Sequence, residues 1–287
     1  MPGSYSETVA GYVAPLAGRI RSLHQELGRP VIVGINGAQG SGKSTLALFL
    51  SNWLRRETRL ATACLSIDDI YLTRAEREGL SRELHPLFAT RGVPGTHDTR
   101  LGGRVLDALT TGGGPRTVKL PAFDKARDDR LPESAWPQVE APIEVVLFEG
   151  WCVGARAQEP AALAEPVNAL EADEDAGGVW RSAVNARLES DYAELFARLD
   201  WLVMLRIPSF DKVFEWRGLQ ERKLRRRLEG QTTPDAGVRG QSEAELRRFI
   251  QHYERLTRHM LETMPAYADT VLDVDAEHRL TRMTQRD

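Results

Sequence analysis

Residues 31–45 read VIVGINGAQGSGKST, in which a run of branched apolar side chains leads directly into a glycine-rich turn. The turn matches the pattern G-x-x-x-x-G-K-[ST], and this pattern has a known mechanism when a strand precedes it and a helix follows it. Glycines let successive backbone N–H groups converge on an anion, and the helix adds the positive end of its dipole. The stretch therefore predicts a phosphate-binding loop.

Every residue of this loop is a candidate for contact with a nucleotide. The candidates are Gly37, Ala38, Gln39, Gly40, Ser41, Gly42, Lys43, Ser44 and Thr45. We expect Lys43 to bring positive charge to the β- and γ-phosphates of ATP, and Ser44 to offer its hydroxyl to Mg²⁺. ATP and Mg²⁺ are accordingly the predicted cofactors.

Four further apolar runs predict strands of the same sheet. They occupy residues 61–67, 143–148, 201–207 and 270–274, and none of them alternates strictly between apolar and polar side chains. Continuous apolar strands separated by helical stretches are typical of a parallel sheet that is buried on both faces. We therefore predict an α/β fold with a doubly wound, five-stranded parallel sheet of the P-loop type, helices on both faces and a basic helical lid.

The chain of 287 residues is interpreted as a single domain, residues 1–287, with several appended segments. These are an N-terminal helix at residues 7–27, an acceptor-site insertion at about 70–135, a mobile insertion at about 155–178 and a lid at about 211–241. The mobile insertion is predicted from its many Ala, Pro and acidic residues. The lid is predicted from residues 215–230, where six basic side chains stand against three acidic ones.

Composition limits the possible partners. Lys and Arg number 38 and Asp and Glu 41, which gives a formal net charge of -3 and disfavours nucleic acid and anionic membranes as partners. No apolar run is long enough to predict a membrane span, and the N-terminus lacks the pattern of a secretory signal. Two cysteines are too few for a disulfide scaffold in a chain of this length. We therefore predict a cytoplasmic protein. The predicted partner is a small-molecule substrate.

Carboxylates follow two of the predicted strands. Asp68 and Asp69 directly follow the apolar run at 61–67, and Glu149 directly follows the run at 143–148. The carboxyl ends of parallel strands share one edge of a sheet, which is the edge where the phosphates are expected. We interpret Glu149 as a Mg²⁺ ligand together with Ser44, and Asp68 as the general base, which we also count among the candidate metal ligands.

The order of these motifs resembles the group of P-loop kinases that contains uridine kinase, phosphoribulokinase and pantothenate kinase. Its D-glycerate 3-kinase branch is the most similar, because of five further blocks. They are SIDDIYLT at 66–73, GTHD at 95–98, PAFDK at 121–125, FEGWCVG at 148–154 and PSFD at 208–211, with Trp216-Arg217 and Gln220-Glu221 after them. The resemblance implies ATP-dependent phosphorylation of D-glycerate to 3-phosphoglycerate, with Asp68 as base and Glu149 as the Walker B acid.

The resemblance also implies where the acceptor binds. Candidate substrate contacts are Asp69, Tyr71, His97, Asp98, Phe123, Asp124, Lys125, Arg130 and Trp151. Asp128 stands where nucleoside kinases of this group usually carry a His, and this difference argues against a nucleoside acceptor. For His97 the ordering of a loop, and for Trp151 packing in the core, are the alternative interpretations.

Two sets of basic residues complete the predicted site. Arg217, Arg222 and Lys223 are the candidates for closing a lid over the phosphates, with Arg217 counted as catalytic. A glycerate carboxylate needs a cation, and the sequence does not rank Arg127 against Lys125 and Arg130 for this role.

Two other functions stay open at this point. One is a P-loop kinase of another small alcohol, such as pantothenate, a nucleoside or a polyol. The other is a nucleotide-dependent switch that phosphorylates no acceptor. A switch would not need Asp68 or the acceptor-side residues, so these residues favour a kinase.

Overall fold

The computed structural model describes residues 8–114, 116–218 and 243–286. Its strands are β1 (Val31–Gly37), β2 (Thr62–Ser66), β3 (Arg116–Lys119), β4 (Phe123–Asp124), β5 (Asp129–Arg130), β6 (Gln138–Ala141), β7 (Val145–Gly150), β8 (Trp201–Arg206), β9 (Thr270–Val274) and β10 (Leu280–Gln285). The central sheet has the order β10-β9-β8-β1-β7-β2. All neighbouring strands run parallel except β9 and β10. The predicted α/β fold is confirmed, with β1 in the interior of the sheet.

The helices of the described residues cover both faces of this sheet. They are α1 (Ala14–Leu27), α2 (Lys43–Trp53), α3 (Arg74–Glu83), α4 (Thr99–Thr110), α5 (Ala169–Glu174), α6 (Val179–Glu189), α7 (Asp191–Phe196) and α8 (Glu243–Thr263), and residues 211–218 are also helical. The N-terminal helix begins with a π-helical turn at Val9–Val13. None of these helices is long and apolar enough to cross a membrane.

Strand β1 shows why the sheet is buried on both sides. Val31, Val33 and Ile35 point into one hydrophobic core, which they share with residues of α1 and α2. Ile32 points into the other core, which includes residues of α4 and α8. Since successive side chains of a strand alternate between faces, a strand that is covered twice needs an uninterrupted apolar run. The absence of strict alternation in the sequence has this cause.

The sixth strand, β10, adds an antiparallel edge that the sequence interpretation did not include. It pairs with β9 through Met283 and Leu272 among others. Its side chains are half-buried or exposed, because the edge of the sheet is covered only in part. An edge strand of this kind lacks the continuous apolar run by which the other five strands were predicted.

The segment at 155–178, for which the sequence predicts a mobile insertion, is joined to α8 by a buried ion pair. Glu171 is 1% exposed and accepts two hydrogen bonds from Arg255, at 2.8 and 2.6 Å. Asp175 is also buried and pairs with Arg181 at 3.0 Å. Most of the segment lies at the surface, as its composition predicted, but Glu171 and Asp175 are buried. Their arginine partners compensate the cost of taking these two carboxylates out of water.

Two small antiparallel sheets of two strands each follow α4 in the chain. Strand β3 pairs with β6, and β4 pairs with β5 in a tight connection through Asp128, which has a φ of 55°. Phe123 lies opposite Arg130, and Asp124 lies opposite Asp129. The β4–β5 hairpin therefore holds four of the predicted acceptor residues, 123–125 and 130, close together.

Candidate active site

The glycine-rich turn joins the end of β1 to the start of α2. A Cβ atom on Gly37 would lie 2.5 Å from the Ser41 hydroxyl, so no larger residue fits there without displacing the loop. Gly42 has a φ of 94° and immediately precedes the helix, which begins at Lys43. Lys43 is half-buried, and Ser44 and Thr45 are exposed. The first turn of α2 is thus open to an anion, and its N–H groups and dipole favour phosphate.

Ser44 and Glu149 meet at the foot of this turn. The Ser44 hydroxyl donates a hydrogen bond of 2.7 Å to Glu149 Oε1. Glu149 is placed there by the register of three neighbouring strands, since it lies opposite Ile35 on β1 and Ser66 on β2. The two predicted metal ligands are therefore adjacent in space although they are 105 positions apart in sequence.

The same pair fits a Mg²⁺ ion. Glu149 is 7% exposed, and its Oε2 atom is buried with no hydrogen-bond partner in the described part of the chain. A carboxylate oxygen without a donor, beside a hydroxyl, is the kind of oxygen set that Mg²⁺ takes. The described residues contain no group of three or more His, Cys, Asp or Glu side chains that could hold a metal. Mg²⁺ at such sites is typically bound by one or two protein oxygens together with the substrate phosphates.

Asp68 lies just beyond β2, in the short helical turn Ile67–Ile70. Its Oδ1 accepts a hydrogen bond of 2.9 Å from the Tyr71 hydroxyl, and its Oδ2 accepts one of 2.6 Å from Lys125 Nζ. Burial by itself would raise the pKa of the Asp68 carboxyl, but the charges of Lys125 and Lys43 outweigh it and lower this pKa to about 2. Asp68 is therefore ionised, and each of its carboxylate oxygens already accepts a hydrogen bond. Its roles as base and as metal ligand stay predictions.

Asp69 has a different environment from its neighbour. Its Oδ1 accepts a weak hydrogen bond of 3.4 Å from the Phe123 backbone N–H. Burial, together with the negative charge of Asp68, raises the pKa of Asp69 to about 6. The two adjacent carboxyl groups thus differ in acidity, and Asp69 connects the end of β2 to the β4–β5 hairpin.

An aromatic wall stands beside Asp68. The rings of Tyr71 and His97 are stacked with centroids 4.4 Å apart, and Phe123 meets Tyr71 edge-on at 5.2 Å. His97 Nδ1 lies 2.6 Å from the Tyr192 hydroxyl. Burial lowers the pKa of His97 to about 3 although the charge of Asp68 acts in the opposite direction. The predicted residues Tyr71, His97 and Phe123 are therefore brought together, and the imidazole is neutral.

Asp98 and Arg130 form an ion pair at the other side of this wall. Asp98 Oδ2 accepts from Arg130 at 3.3 Å, while Asp98 Oδ1 accepts from the Leu101 N–H and caps the start of α4. Arg130 also approaches Glu76 at 3.7 Å. Both predicted residues thus have structural partners, and their contacts with an acceptor stay predictions.

Asp124, Arg127 and Lys125 lie in the turn of the β4–β5 hairpin. Asp124 Oδ1 accepts from the backbone N–H groups of Ala126 and Arg127, at 2.9 and 3.2 Å, so it orders the turn. The Arg127 side chain is 80% exposed and that of Lys125 is 61% exposed. Of the three cations considered for a substrate carboxylate, Lys125 is the one that reaches Asp68.

Asp128 shows what replaces the expected His of nucleoside kinases. It accepts from the buried Arg77 at 2.9 Å and forms a short ion pair with Arg91. Both guanidinium groups also lie over the Phe123 ring, at 5.9 and 5.4 Å from its centroid. Sequence reasoning missed these two arginines, because Arg77 lies in the strongly polar helix α3, whose sequence gives no sign that this one side chain is buried.

The remaining predicted residues have varied positions. Trp151 is 2% exposed, and its indole N–H donates to the Gly92 carbonyl at 2.8 Å, so it packs in the core as its alternative interpretation held. Arg217 is half-buried in the helical residues 211–218. Its neighbour Trp216 packs on the loop, where a Cβ on Gly40 would lie 3.0 Å from Trp216 Cβ. Arg222 and Lys223 lie outside the described residues.

Tyr192 is a further residue that the sequence did not indicate. It is fully buried on α7, and its hydroxyl contacts His97 and the backbone of the loop at 95–97. The residues around it, Ser190-Asp191-Tyr192-Ala193, match none of the motif blocks. Only the packing of α7 against α4 brings this phenol to the candidate site.

Comparisons with known proteins show which proteins this chain is similar to. No protein-family model matches the chain. An uncharacterized kinase of Schizosaccharomyces pombe, mug58, is 35% identical over 234 residues, which are 79% of this chain and 79% of that protein. The chloroplastic D-glycerate 3-kinase of Arabidopsis thaliana is 31% identical over 255 residues, which are 86% of this chain but only 51% of that protein.

A solved structure extends the comparison to the fold. The D-glycerate 3-kinase from Cryptococcus neoformans superposes with a TM-score of 0.77 at 23% identity, covering 96% of this chain and 99% of that one. At this identity the likeness concerns the fold alone. Together with the sequence relatives and the loop geometry, it leads to one conclusion: the chain is an ATP-dependent kinase that belongs to the P-loop kinase family which includes D-glycerate 3-kinase.

Proposed function

We propose that the protein transfers the γ-phosphate of ATP, with Mg²⁺, to the 3-hydroxyl of D-glycerate, with Asp68 as the base. The observation that carries this proposal is the position of the Asp68 carboxylate. It accepts from Lys125 on the acceptor hairpin, and the charge of Lys43 from the phosphate-binding loop acts on it. An acceptor hydroxyl at Asp68 would therefore lie between the β4–β5 hairpin, which carries Lys125, and the phosphate-binding loop, which carries Lys43.

Phosphoryl transfer mainly requires the protein to align the reacting groups and to neutralise the negative charge of the phosphates. Phosphoryl transfer has a loose transition state in which negative charge is spread over the equatorial oxygens. Lys43 and the N–H groups at the start of α2 stabilise this charge. Ser44 and Glu149 would hold Mg²⁺, which would supply further positive charge to the phosphates. Asp68 orients the acceptor hydroxyl and takes up its proton as the new bond forms, a step for which even a weakly basic carboxylate suffices when the transition state is loose.

Lys125 is our candidate for binding the carboxylate of glycerate. Its Nζ atom is 2.6 Å from Asp68 Oδ2 and its side chain is 61% exposed, so it can turn towards a second anion. Arg130 is already paired with Asp98 and approached by Glu76. We retain Asp69, Asp98 and Asp124 as candidate acceptor contacts, and Arg217 with the residues at 222–223 as candidate lid cations.

Support for glycerate as the acceptor also comes from the Arabidopsis relative named D-glycerate 3-kinase. Asp128, which pairs with Arg77 and Arg91, stands where nucleoside kinases carry a His, and this replacement argues against a nucleoside as the acceptor. A cytoplasmic location stays a prediction, because that relative is chloroplastic. The absence of nucleic-acid and membrane partners likewise stays a prediction.

The test is ADP release from ATP and Mg²⁺ with a panel of acceptors: D-glycerate, L-glycerate, pantothenate, uridine and glycerol. We expect strong stimulation by D-glycerate alone, and phosphorus NMR of the product should show the phosphate on carbon 3. Stimulation by a different alcohol would identify that alcohol, and not glycerate, as the acceptor. Turnover that no alcohol stimulates would favour the switch.

A further inference from the structure

The hydroxyl of Tyr192 has three polar contacts within the part of the chain that the structure describes. It accepts from the backbone N–H of Gly95 at 3.0 Å and from that of His97 at 3.3 Å. It also lies 2.6 Å from Nδ1 of the His97 ring. All three contacts are buried, so water does not compete for any of them.

The valence of a phenol decides how this cluster is protonated. A phenolic oxygen has two lone pairs and one proton. The two backbone N–H groups are obligatory donors and occupy both lone pairs. The phenolic proton is then left for His97 Nδ1, which must accept it. In a neutral imidazole one nitrogen accepts and the other carries the proton, so the proton of the His97 ring is on Nε2.

The opposite tautomer is disfavoured by the same count. With a proton on Nδ1, three N–H donors would converge on one phenolic oxygen, and the phenolic proton would have no acceptor there. Two buried polar hydrogens would then compete or remain unpaired, which is costly away from water. The doubly protonated, charged form of the ring does not form at neutral pH either, because burial lowers the pKa of His97 to about 3.

The second ring nitrogen of His97 has different surroundings from Nδ1. His97 is 4% exposed, and its Nε2 has no hydrogen-bond partner among the described residues. The ring is stacked on Tyr71, whose hydroxyl donates to Asp68. The charge of the candidate base Asp68 acts on this ring. A proton on Nε2 therefore lacks an acceptor among the described residues, and an oxygen of a bound substrate would satisfy it.

We propose that Tyr192 is a positioning residue that holds His97 in the Nε2–H tautomer, so that this N–H donates to an oxygen of the acceptor substrate beside Asp68. The substrate half of this inference rests on the proposed kinase function, whereas the tautomer does not. The wrong tautomer would present a lone pair to a substrate oxygen and repel it. Tyr192 would thus select an acceptor that carries a hydroxyl or carboxylate oxygen at this point.

The tautomer is measured without substrate. In ¹⁵N-labelled protein, long-range ¹H–¹⁵N correlation spectra separate a protonated ring nitrogen from an unprotonated one, and the signal of His97 is the one that His97→Gln removes. We expect an Nε2–H pattern in the wild type and a changed pattern or a mixture of tautomers in Tyr192→Phe. An Nδ1–H ring in the wild type, or an unchanged pattern in Tyr192→Phe, overturns the proposal.

The donor role is tested with two substitutions of His97 that differ in reach. The side-chain amide of Gln can stand near the position of Nε2, and that of Asn near Nδ1. With the acceptor that the panel identifies, His97→Gln should retain more kcat/KM than His97→Asn, which should lose about 10- to 100-fold. The KM for ATP should not change in either variant. Equal losses in both would contradict a donor at Nε2.

The role of Tyr192 in turnover has its own control. Tyr192→Phe should raise the KM for the acceptor about tenfold or more without changing the KM for ATP. Tyr267→Phe is the matched control, since its hydroxyl donates to the Gly154 carbonyl at 3.2 Å and should leave both constants unchanged. If no alcohol is phosphorylated by the wild type, the proposed function fails, and the spectra still decide the tautomer.

Discussion

Ser44 Oγ lies 2.7 Å from Glu149 Oε1, so the first turn of α2 and the end of β7 are joined by one hydrogen bond. This contact connects the phosphate-binding loop to the carboxylate that we assign to Mg²⁺. It exists because parallel strands end at the same edge of the sheet, where β1 and β7 are direct neighbours. The remaining Glu149 oxygen is buried and unpartnered in the described part of the chain, which leaves it available to a cation.

Glu149→Gln should weaken the response to Mg²⁺. The amide oxygen still accepts from Ser44, but the negative charge that attracts the cation is gone. We expect the Mg²⁺ concentration for half-maximal ADP formation to rise by about 10- to 100-fold at fixed ATP. Glu140→Gln is the control, because Glu140 is an exposed residue of β6 that accepts from Thr117. Identical Mg²⁺ titrations of the wild type and Glu149→Gln would contradict the assignment.

Asp68→Asn should separate catalysis from nucleotide binding. The side chain keeps its shape, but it neither takes a proton nor balances Lys125 and Lys43. We expect kcat to fall by about 10²- to 10⁴-fold while ATP binding, measured by titration with a fluorescent nucleotide, changes little. Asp107→Asn, on the exposed side of α4, is the control and should be fully active.

The pH dependence of the wild type checks the same residue. Because the pKa of Asp68 is lowered to about 2, its carboxylate is ionised at every pH at which the enzyme is assayed. Protonation of Asp68 should therefore not lower the activity between pH 8 and pH 5, and a fall in this range that Asp69→Asn abolishes belongs to Asp69, whose pKa is raised to about 6. Full activity of Asp68→Asn would show that this carboxylate is not the base.

Glu171→Ala should destabilise the protein far more than Glu174→Ala. Both glutamates lie on α5 and pair with arginines of α8, but the side chain of Glu171 is 1% exposed and that of Glu174 is 40% exposed. Removing Glu171 leaves Arg255 buried without its counter-charge, which should cost about 3–5 kcal/mol in the free energy of unfolding. The exposed pair with Arg248 should contribute at most about 1 kcal/mol. Urea denaturation of both variants measures the difference, and similar losses would show that the insertion is not anchored by this ion pair.

His252 should make the protein less stable in mild acid. Burial lowers the pKa of His252 to about 4, whereas an unfolded His titrates near its usual value of about 6.5. The unfolded state therefore binds the proton first, so the stability from this residue is complete above pH 6.5 and is lost as the pH falls towards 4.

His252→Gln removes that dependence. Between pH 7.5 and pH 5 the wild type should lose about 2 kcal/mol more than the variant in the free energy of unfolding, at about 1.4 kcal/mol per pH unit. Urea denaturation at the two pH values measures this loss, and parallel losses in both proteins would mean that His252 is not the group that titrates.

Local patterns in the sequence were sufficient for the frame of the site. The loop at 37–45 could be predicted because its own glycines set the backbone conformation that presents Lys43 and Ser44, so the signal is local in the sequence. Asp68 and Glu149 could be predicted because they end apolar runs, and the ends of parallel strands meet. The strand β10 could not, since an edge strand buries too little surface to need an apolar run.

The contacts that complete the site come from residues far apart in the chain. Tyr192 reaches His97 over 95 positions, and Arg255 reaches Glu171 over 84. Such pairs leave no periodicity or spacing in the sequence, because the two partners lie on different elements, and only the packing of those elements brings them together. The sequence by itself thus determined the phosphate-binding loop, the five parallel strands and the acids at their ends. The tertiary structure alone decided which donors and cations meet those acids, because burial and charge pairing depend on which elements pack against each other.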